Sequence, residues 1–460
     1  MHSAATPQAP RTSVGGQTRA LLALGLPLVG SHIAQILISV TDAVMMGWYD
    51  VVGLAALSVS GPLFYIVFIF GSGFAFAVAP MVAAAIAGGD EKQTRRVTRM
   101  GLWLSIGFGA LSLPAFFFAE PLFLALGQTP EVAHEAGRYM PWMGLGMIPA
   151  LLVQVLKSYL SALELTRAIL VAVIGAAAVN AAVNYCLIFG HFGAPELGIV
   201  GAGIASLFSH AASLLALTIY ARRKRPEHEL LRNFHRPDPE ALATVLRVGL
   251  PIGFTLLAET GLFAASGVMM GWLGTIPLAA HGIALNIASL TFMVPLGLSQ
   301  AVTVRVGAAW GRRDPEALRA ASIAGMALAL AAALMTVTAF LVFPEWLIGL
   351  FIDPDDPDRP AIVAAGVTFL AMAALFQLVD FGQVMGLGML RGVQDTRVPM
   401  VYAIASYWAV GLPVSYVLGF PLGLGGVGVW LGLSTGLALA CLAMQLRFWG
   451  RHASFSSGPS

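Results

Sequence analysis

Apolar residues run along this chain in stretches of about 20 or more, broken by short polar segments. A helix of that length spans the roughly 30 Å hydrocarbon core of a bilayer. Reading the breaks as boundaries predicts twelve helices, over about 20–46, 53–86, 97–118, 134–160, 166–189, 199–221, 244–271, 277–307, 317–342, 361–388, 398–418 and 425–447. Several exceed the minimal span, so tilt or extension past the bilayer is expected. Long stretches of alternating apolar and polar residues, the mark of a membrane β-barrel, are missing. The expected fold is an all-α polytopic membrane protein.

Composition agrees. The chain is 58% hydrophobic and 10% charged, against roughly 25% charged in soluble domains, and its mean hydropathy is +0.82. An ordinary globular enzyme and a disordered protein are both excluded. Cys186 and Cys441 sit far apart in apolar segments and read as small core residues, not as a disulfide or a metal site. The polar residues 1–17 predict a disordered tail, and no cleavable signal sequence follows them.

Charge placement sets the orientation. Call the termini and the even-numbered connections one side. That side holds Arg95, Arg96, Arg99, Arg167, Arg222-Arg223-Lys224-Arg225, Arg312, Arg313, Arg319, Arg391, Arg397, Arg447 and Arg451, and of all the Lys and Arg only Arg138 and Arg359 fall away from it. The positive-inside rule then places both termini on the cytoplasmic side of the membrane. The Arg222–Arg225 cluster reads as an anchor to anionic lipid headgroups, with no nucleic-acid partner.

The chain also repeats itself. Gly25-Leu26-Pro27 recurs as Gly249-Leu250-Pro251, Met45-Met46-Gly47-Trp48 as Met269-Met270-Gly271-Trp272, Ala55-Ala56 as Ala279-Ala280, and Asp90 as Asp314, each 224 residues on. Thr166-Arg167 returns as Thr396-Arg397 at an offset of 230. Two homologous six-helix bundles follow, over 18–222 and 243–448, joined by a charged linker at 223–242, with a short tail at 449–460. Because six is even, both halves enter from the same side and form a parallel repeat around a central cavity.

Three acidic residues, Asp42, Glu259 and Asp380, fall deep inside apolar segments. A carboxylate in hydrocarbon costs roughly 2.5–3.5 kcal/mol on insertion scales and marks ion or proton pathways. The pattern points to a secondary transporter coupled to Na⁺ or H⁺. Gln35 lies seven residues before Asp42 on the same helix face, and the repeat sets it opposite Glu259, while Asp42 falls opposite Ser266. Asp380 has no cationic residue within a helical turn, so it either binds a cation or carries a proton. Asn180 and Asn184, four apart on helix 5, either complete a cation shell, hydrogen-bond Asp42 or join helices. Helix 8 adds His281 and Asn286. No basic residue is expected at mid-membrane depth, with Lys157 and Arg305 placed near helix ends. Phosphate-loop, zinc-protease and nucleophile-elbow motifs are absent, so no enzyme is expected.

These residues together resemble the multidrug and toxic compound extrusion (MATE) family, in its NorM-type bacterial branch. The likeness rests on Thr41-Asp42-Ala43-Val44-Met45-Met46-Gly47, Gly249-Leu250-Pro251 with Glu259, and Ala279-Ala280-His281 through Asn286. It continues through Pro295 to Arg305-Val306-Gly307, Asp380, Leu390-Arg391-Gly392 with Asp395, Ser406-Tyr407-Trp408 and Gly411-Leu412-Pro413. The resemblance implies an antiporter of the bacterial inner membrane that exports cationic amphipathic compounds in exchange for Na⁺ or H⁺ and needs no further cofactor; a monomer is expected. It assigns Glu259 and Asp380 to the second lobe's cation site, Na⁺ if sodium couples. Asp42, Asn180 and Asn184 fall to the first lobe's polar cluster, and Gln35 and Asn286 to polar support or substrate contact. A lipid-linked oligosaccharide flippase of the same superfamily is the alternative; basic residues inside the cavity would favour it.

Overall fold

The computed structural model describes residues 13–232 and 234–453, and among them the chain forms helices and connections with no strand. Twelve helices are long and apolar enough to cross a membrane. They are α1 (Val14–Tyr49), α2 (Val51–Ala87), α3 (Glu91–Phe117), α4 (Pro130–Ala162), α5 (Thr166–Phe189) and α6 (Ile199–Lys224). The second half contributes α7 (Pro239–Leu273), α8 (Thr275–Gly311), α9 (Pro315–Val342), α10 (Arg359–Gly392), α11 (Arg397–Gly419) and α12 (Gly425–His452).

Helix ends depart from the sequence expectation where caps extend them. Residues 14–17, expected in a tail, form the first turn of α1, because Ser13 Oγ accepts from Gly16 N–H at 3.2 Å. The remainder of that expected tail, 1–12, lies outside the described residues. Residues 449–452, also expected in a tail, continue α12, and 454–460 lie outside the description. Asp90 and Asp314, a repeat pair, cap α3 and α9 through Gln93 N–H (2.8 Å) and Ala317 N–H (2.9 Å). Two short helices, Ala119–Ala125 and Pro344–Gly349, follow α3 and α9 at equivalent places. Apolar periodicity had absorbed them into the connections. The middle of α11, Ala405–Gly411, is wound as a π-helix.

Helices α1–α6 pack on one another, α2 on α4 and α1 on α5, as do α7–α12, α8 on α10 and α10 on α12. One core fills the second bundle around Trp430, Tyr407 and Phe381 and takes in Leu21 and Leu24 of α1; the first bundle has two, one around Tyr159 that takes in Val245, Val248 and Ile252 of α7, and one around Met46 with Phe116. The bundles meet where α1 lies on α8 and α2 on α7. Glycine makes this approach possible. A Cβ on Gly73 would stand 2.5 Å from Gly253 N and 2.6 Å from Gly249 O. Gly297, which the repeat sets opposite Gly73, would meet Val29 N at 2.7 Å. The repeated Gly-Leu-Pro thus marks one seam used twice, with Gly25 against Leu298 and Gly249 against Phe74.

All these approaches lie in the helix halves nearer the termini. Polar ties reinforce that end: Arg305 of α8 donates to Gln17 of α1 (3.0 Å) and to Glu164 (2.6 Å). Arg96 of α3 meets Asp238 at 2.5 Å and Glu240 at 2.9 Å. The linker lies against α3 and α4, where Trp103 Nε1 donates to Phe234 O (2.8 Å) and Tyr159 Oη pairs with His228 Nδ1 (2.6 Å). In the opposite halves Tyr65, Ile66 and Leu290 are exposed.

Candidate functional site

Two polar clusters lie within the spanning helices, one per bundle. In the first, Asp42 of α1 is buried against α5 and α6. Asn184 Nδ2 donates to its Oδ1 at 2.6 Å, and Ser206 Oγ donates to its Oδ2 at 3.2 Å. The same Asn184 amide reaches Asn180 Oδ1 at 3.2 Å, which the four-residue spacing on α5 permits. Asn180 Nδ2 and Asn184 Oδ1 have no hydrogen-bond partner although buried. An amide oxygen beside a carboxylate offers the hard oxygen ligands a small cation takes. The sequence singled out Asp42, Asn180 and Asn184 but missed Ser206, since one serine in a Gly- and Ala-rich helix start carries no pattern.

Gln35 does not join this cluster. Its Oε1 accepts from Lys157 Nζ at 3.4 Å, nearer the termini. Asn286 is exposed and donates to Gly282 O one turn back at 2.9 Å, so no hydrogen bond draws it to either carboxylate cluster. Ser266, the repeat partner of Asp42, is buried and pairs with His281 Nε2 at 3.2 Å. Position for position, a serine–histidine pair in one lobe stands where the other carries a carboxylate.

The second cluster lines a cavity of about 400 Å³ between the bundles. Glu259 faces it from α7 and Asp380 from α10, with Phe263, Phe292 and Phe376 supplying apolar wall and Tyr65 of α2 facing them from the first bundle. Asp380 is 3% exposed, and its Oδ1 has no hydrogen-bond partner. Gln377, one turn earlier, donates to Ala288 O (3.0 Å) and Thr291 Oγ1 (2.8 Å), leaving its own Oε1 without a donor. Behind the cavity, the π-turn of α11 sets Tyr407 Oη to accept from Gln383 Nε2 at 2.7 Å and Trp408 Nε1 to donate to Ala258 O at 3.1 Å. That indole fixes α7 beside Glu259. No run of residues announces a π-turn, so its role was not legible in the sequence.

Basic residues border this interior from the helix ends: Lys157, close to the end of α4, is 3% exposed, and Arg391, next to the end of α10, lines the same cavity as Glu259. Arg391 lies three turns beyond Asp380, outside the single turn the sequence considered, and its guanidinium sits 5.9 Å from the Phe76 ring centroid on α2. Among the described residues no group of three or more His, Cys, Asp or Glu side chains is placed to hold a metal ion. The oxygens that the cavity offers include the carboxylates of Glu259 and Asp380 and the neutral Gln377 Oε1.

A family model described as MatE matches residues 27–186 and 251–417, one match in each bundle. The chain is 44% identical over 447 residues to a protein of Rhizobium meliloti (strain 1021) named probable multidrug resistance protein NorM, covering 96% of this chain and 95% of the relative. A protein of the same name from Agrobacterium fabrum (strain C58) is 44% identical over 432 residues, with 94% and 93% covered. Among solved structures, one described as the outward-facing conformation of a multidrug resistance MATE family transporter of the MOP superfamily superposes with a TM-score of 0.87. It is 22% identical, with 99% and 100% of the chains covered. Another, of MATE in the bent conformation, gives 0.86 at 22% identity, with 98% of each chain covered.

Proposed function

The chain belongs to the MATE family, and on that premise we propose that it exports cationic amphipathic compounds in exchange for Na⁺ or H⁺. It is a membrane transporter of the multidrug-efflux kind, not an enzyme. The observation that carries the finer reading is the cavity itself. Two carboxylates, Glu259 and Asp380, stand in a mostly aromatic and aliphatic wall between lobes. An organic cation is held there by charge and by aromatic faces together, each cation–π contact adding about 0.5–2 kcal/mol. Removing a drug leaves negative charge that a small ion neutralises, so competition for one charge enforces exchange.

In this reading the termini are cytoplasmic, the lobes 18–222 and 243–448 move as units, and one chain suffices. The glycine seam and the Arg305 and Arg96 ties support a resting state closed at the cytoplasmic end. Rocking about the seam then alternates access. Asp42 with Asn180, Asn184 and Ser206 serves as a second ion-responsive cluster, coupled through α1 to the seam at Gly25 and Val29. Gln35 and Asn286 are assigned supporting roles only.

The test is ethidium efflux from proteoliposomes, with a Na⁺ gradient and a pH gradient imposed separately. Export under either gradient, reduced to near background at matched expression by Glu259→Gln and Asp380→Asn, is the expected result. Unimpaired export by both variants sinks the coupling assignment. Arg391 in the cavity favours a second reading, transport of an anionic lipid-linked sugar, and absence of ethidium export under both gradients would select it.

A further inference from the structure

Toward the termini, below the large cavity, lies a second one of about 20 Å³. It is lined from the first lobe by Phe76 and by Lys157 with other residues of α4, and from the second by Gln300 of α8 and Arg391 of α10. No carboxylate lines it among the described residues. Lys157 carries three donor hydrogens, and its contact to Gln35 Oε1 is long at 3.4 Å. Arg391 Nη2 and Gln300 Nε2 are buried donors with no partner. Two cationic side chains and an orphaned amide donor thus border one small space that both lobes enclose.

A water molecule fits, since roughly 10–15 Å³ on this measure is enough for one. Water accepts two hydrogen bonds and cancels no charge. A monatomic anion accepts from every donor around it and offsets both cations, which in a buried space is the larger effect. The volume is too small for a phosphate or a carboxylate-bearing molecule. We propose that this cavity binds one small monovalent anion of the chloride class, held between Lys157 of one lobe and Arg391 of the other. The flexible stem of Lys157 supplies the slack that a halide, wider than water, requires. Because each lobe gives one cation, occupancy favours the arrangement in which the lobes meet at this end.

The experiment uses the full-length protein in nanodiscs and reads thermal unfolding in sodium chloride, sodium bromide and sodium gluconate at one ionic strength, so that Na⁺ is constant. Halide is expected to raise the unfolding temperature in a saturable way. Lys157→Gln and Arg391→Gln should each weaken the half-saturating halide concentration by roughly tenfold or more, as expected on losing a hydrogen bond from a charged donor. The exposed Arg236→Gln in the linker should leave it unchanged. Equal stability in halide and gluconate, or a halide effect that survives both substitutions, overturns the proposal. Should the variants fail to fold, bromide anomalous scattering from wild-type crystals decides: a peak between Lys157 and Arg391 supports it, and density for water alone refutes it. Neither readout depends on transport, so this site and the exchange reading fail separately.

Discussion

At the scale of single residues, the polar side chains of this protein divide by the company they keep. Asp42 is satisfied by amide and hydroxyl donors, while Asp380 keeps one oxygen without a partner. Asp238, outside the membrane, shows the third case, a carboxylate paired with a cation. Arg96 beside it holds its carboxyl down from the usual 3.8 to about 2, helped by the Ala241 N–H that it caps. A depressed folded value means that the stabilisation is complete above 3.8 and is lost as pH falls through 3.8 toward 2. Asp238→Asn keeps a capping side chain and removes the charge. With both partners partly exposed, the pair contributes about 1 kcal/mol or less. The variant should therefore unfold slightly earlier than wild type at pH 6, the gap closing near pH 2; a gap that is constant with pH would show that the ion pair contributes nothing. Residue identity in the clusters was largely legible, because a carboxylate in an apolar run is conspicuous. Ser206, Lys157 and Arg391 were not, since only packing reveals which hydroxyl meets Asp42 or how far a terminal cation reaches inward.

Helices carry the next level of explanation. Twelve apolar runs became twelve helices because nothing but a hydrogen-bonded helix satisfies backbone groups in hydrocarbon without a closed barrel. Their ends were less legible: Ser13 and Asp238 start α1 and α7 earlier than hydropathy alone suggests, through caps that hydropathy does not weigh. The glycines that let the two lobes approach sit on α2 and α8. Gly73 admits no Cβ without moving the backbone of α7, whose Gly253 N would be 2.5 Å away. Gly73→Ala should therefore separate α2 from α7 near the termini, at an overpacking cost of about 1–3 kcal/mol. Spin labels on the two lobes at that end should report longer distances and a larger open fraction in the variant. Gly61→Ala on the same helix, with no neighbour within 4 Å of its Cβ, is the control and should leave distances unchanged. If both variants give the wild-type distance distribution, the seam is not what holds that end together.

For the molecule as a whole, the parallel repeat makes a mechanical statement. Two lobes related by an offset of 224 residues contact each other through equivalent pairs, Gly73 with Gly253 and Gly297 with Val29. Equivalent contacts on either side of an axis define a line about which the lobes can tilt; Leu21 and Leu24 of α1 pack into the core around Trp430, and Val245, Val248 and Ile252 of α7 into the core around Tyr159, so tilting repacks these contacts at the seam. The repeat was visible in the sequence as matched motifs, but which face it used was not, because Gly-Leu-Pro reads equally well as a kink. If rocking about this seam is the transport step, fixing one contact must stop turnover without emptying the cavity. Cysteines at Gly25 and Ala301, facing each other across the same seam, are close enough to bridge, a Cβ at 25 lying 3.7 Å from Ala301 Cβ. The native Cys186 and Cys441 are first replaced by alanine. Oxidation of Gly25→Cys/Ala301→Cys should reduce ethidium export to near background, reductant should restore it, and ethidium binding at the Glu259 cavity should persist in both forms. Export that continues in the fully crosslinked protein would mean that the lobes do not separate at this end, and alternating access would have to arise within a lobe, by bending of α1 or α7 beside Asp42 or Glu259.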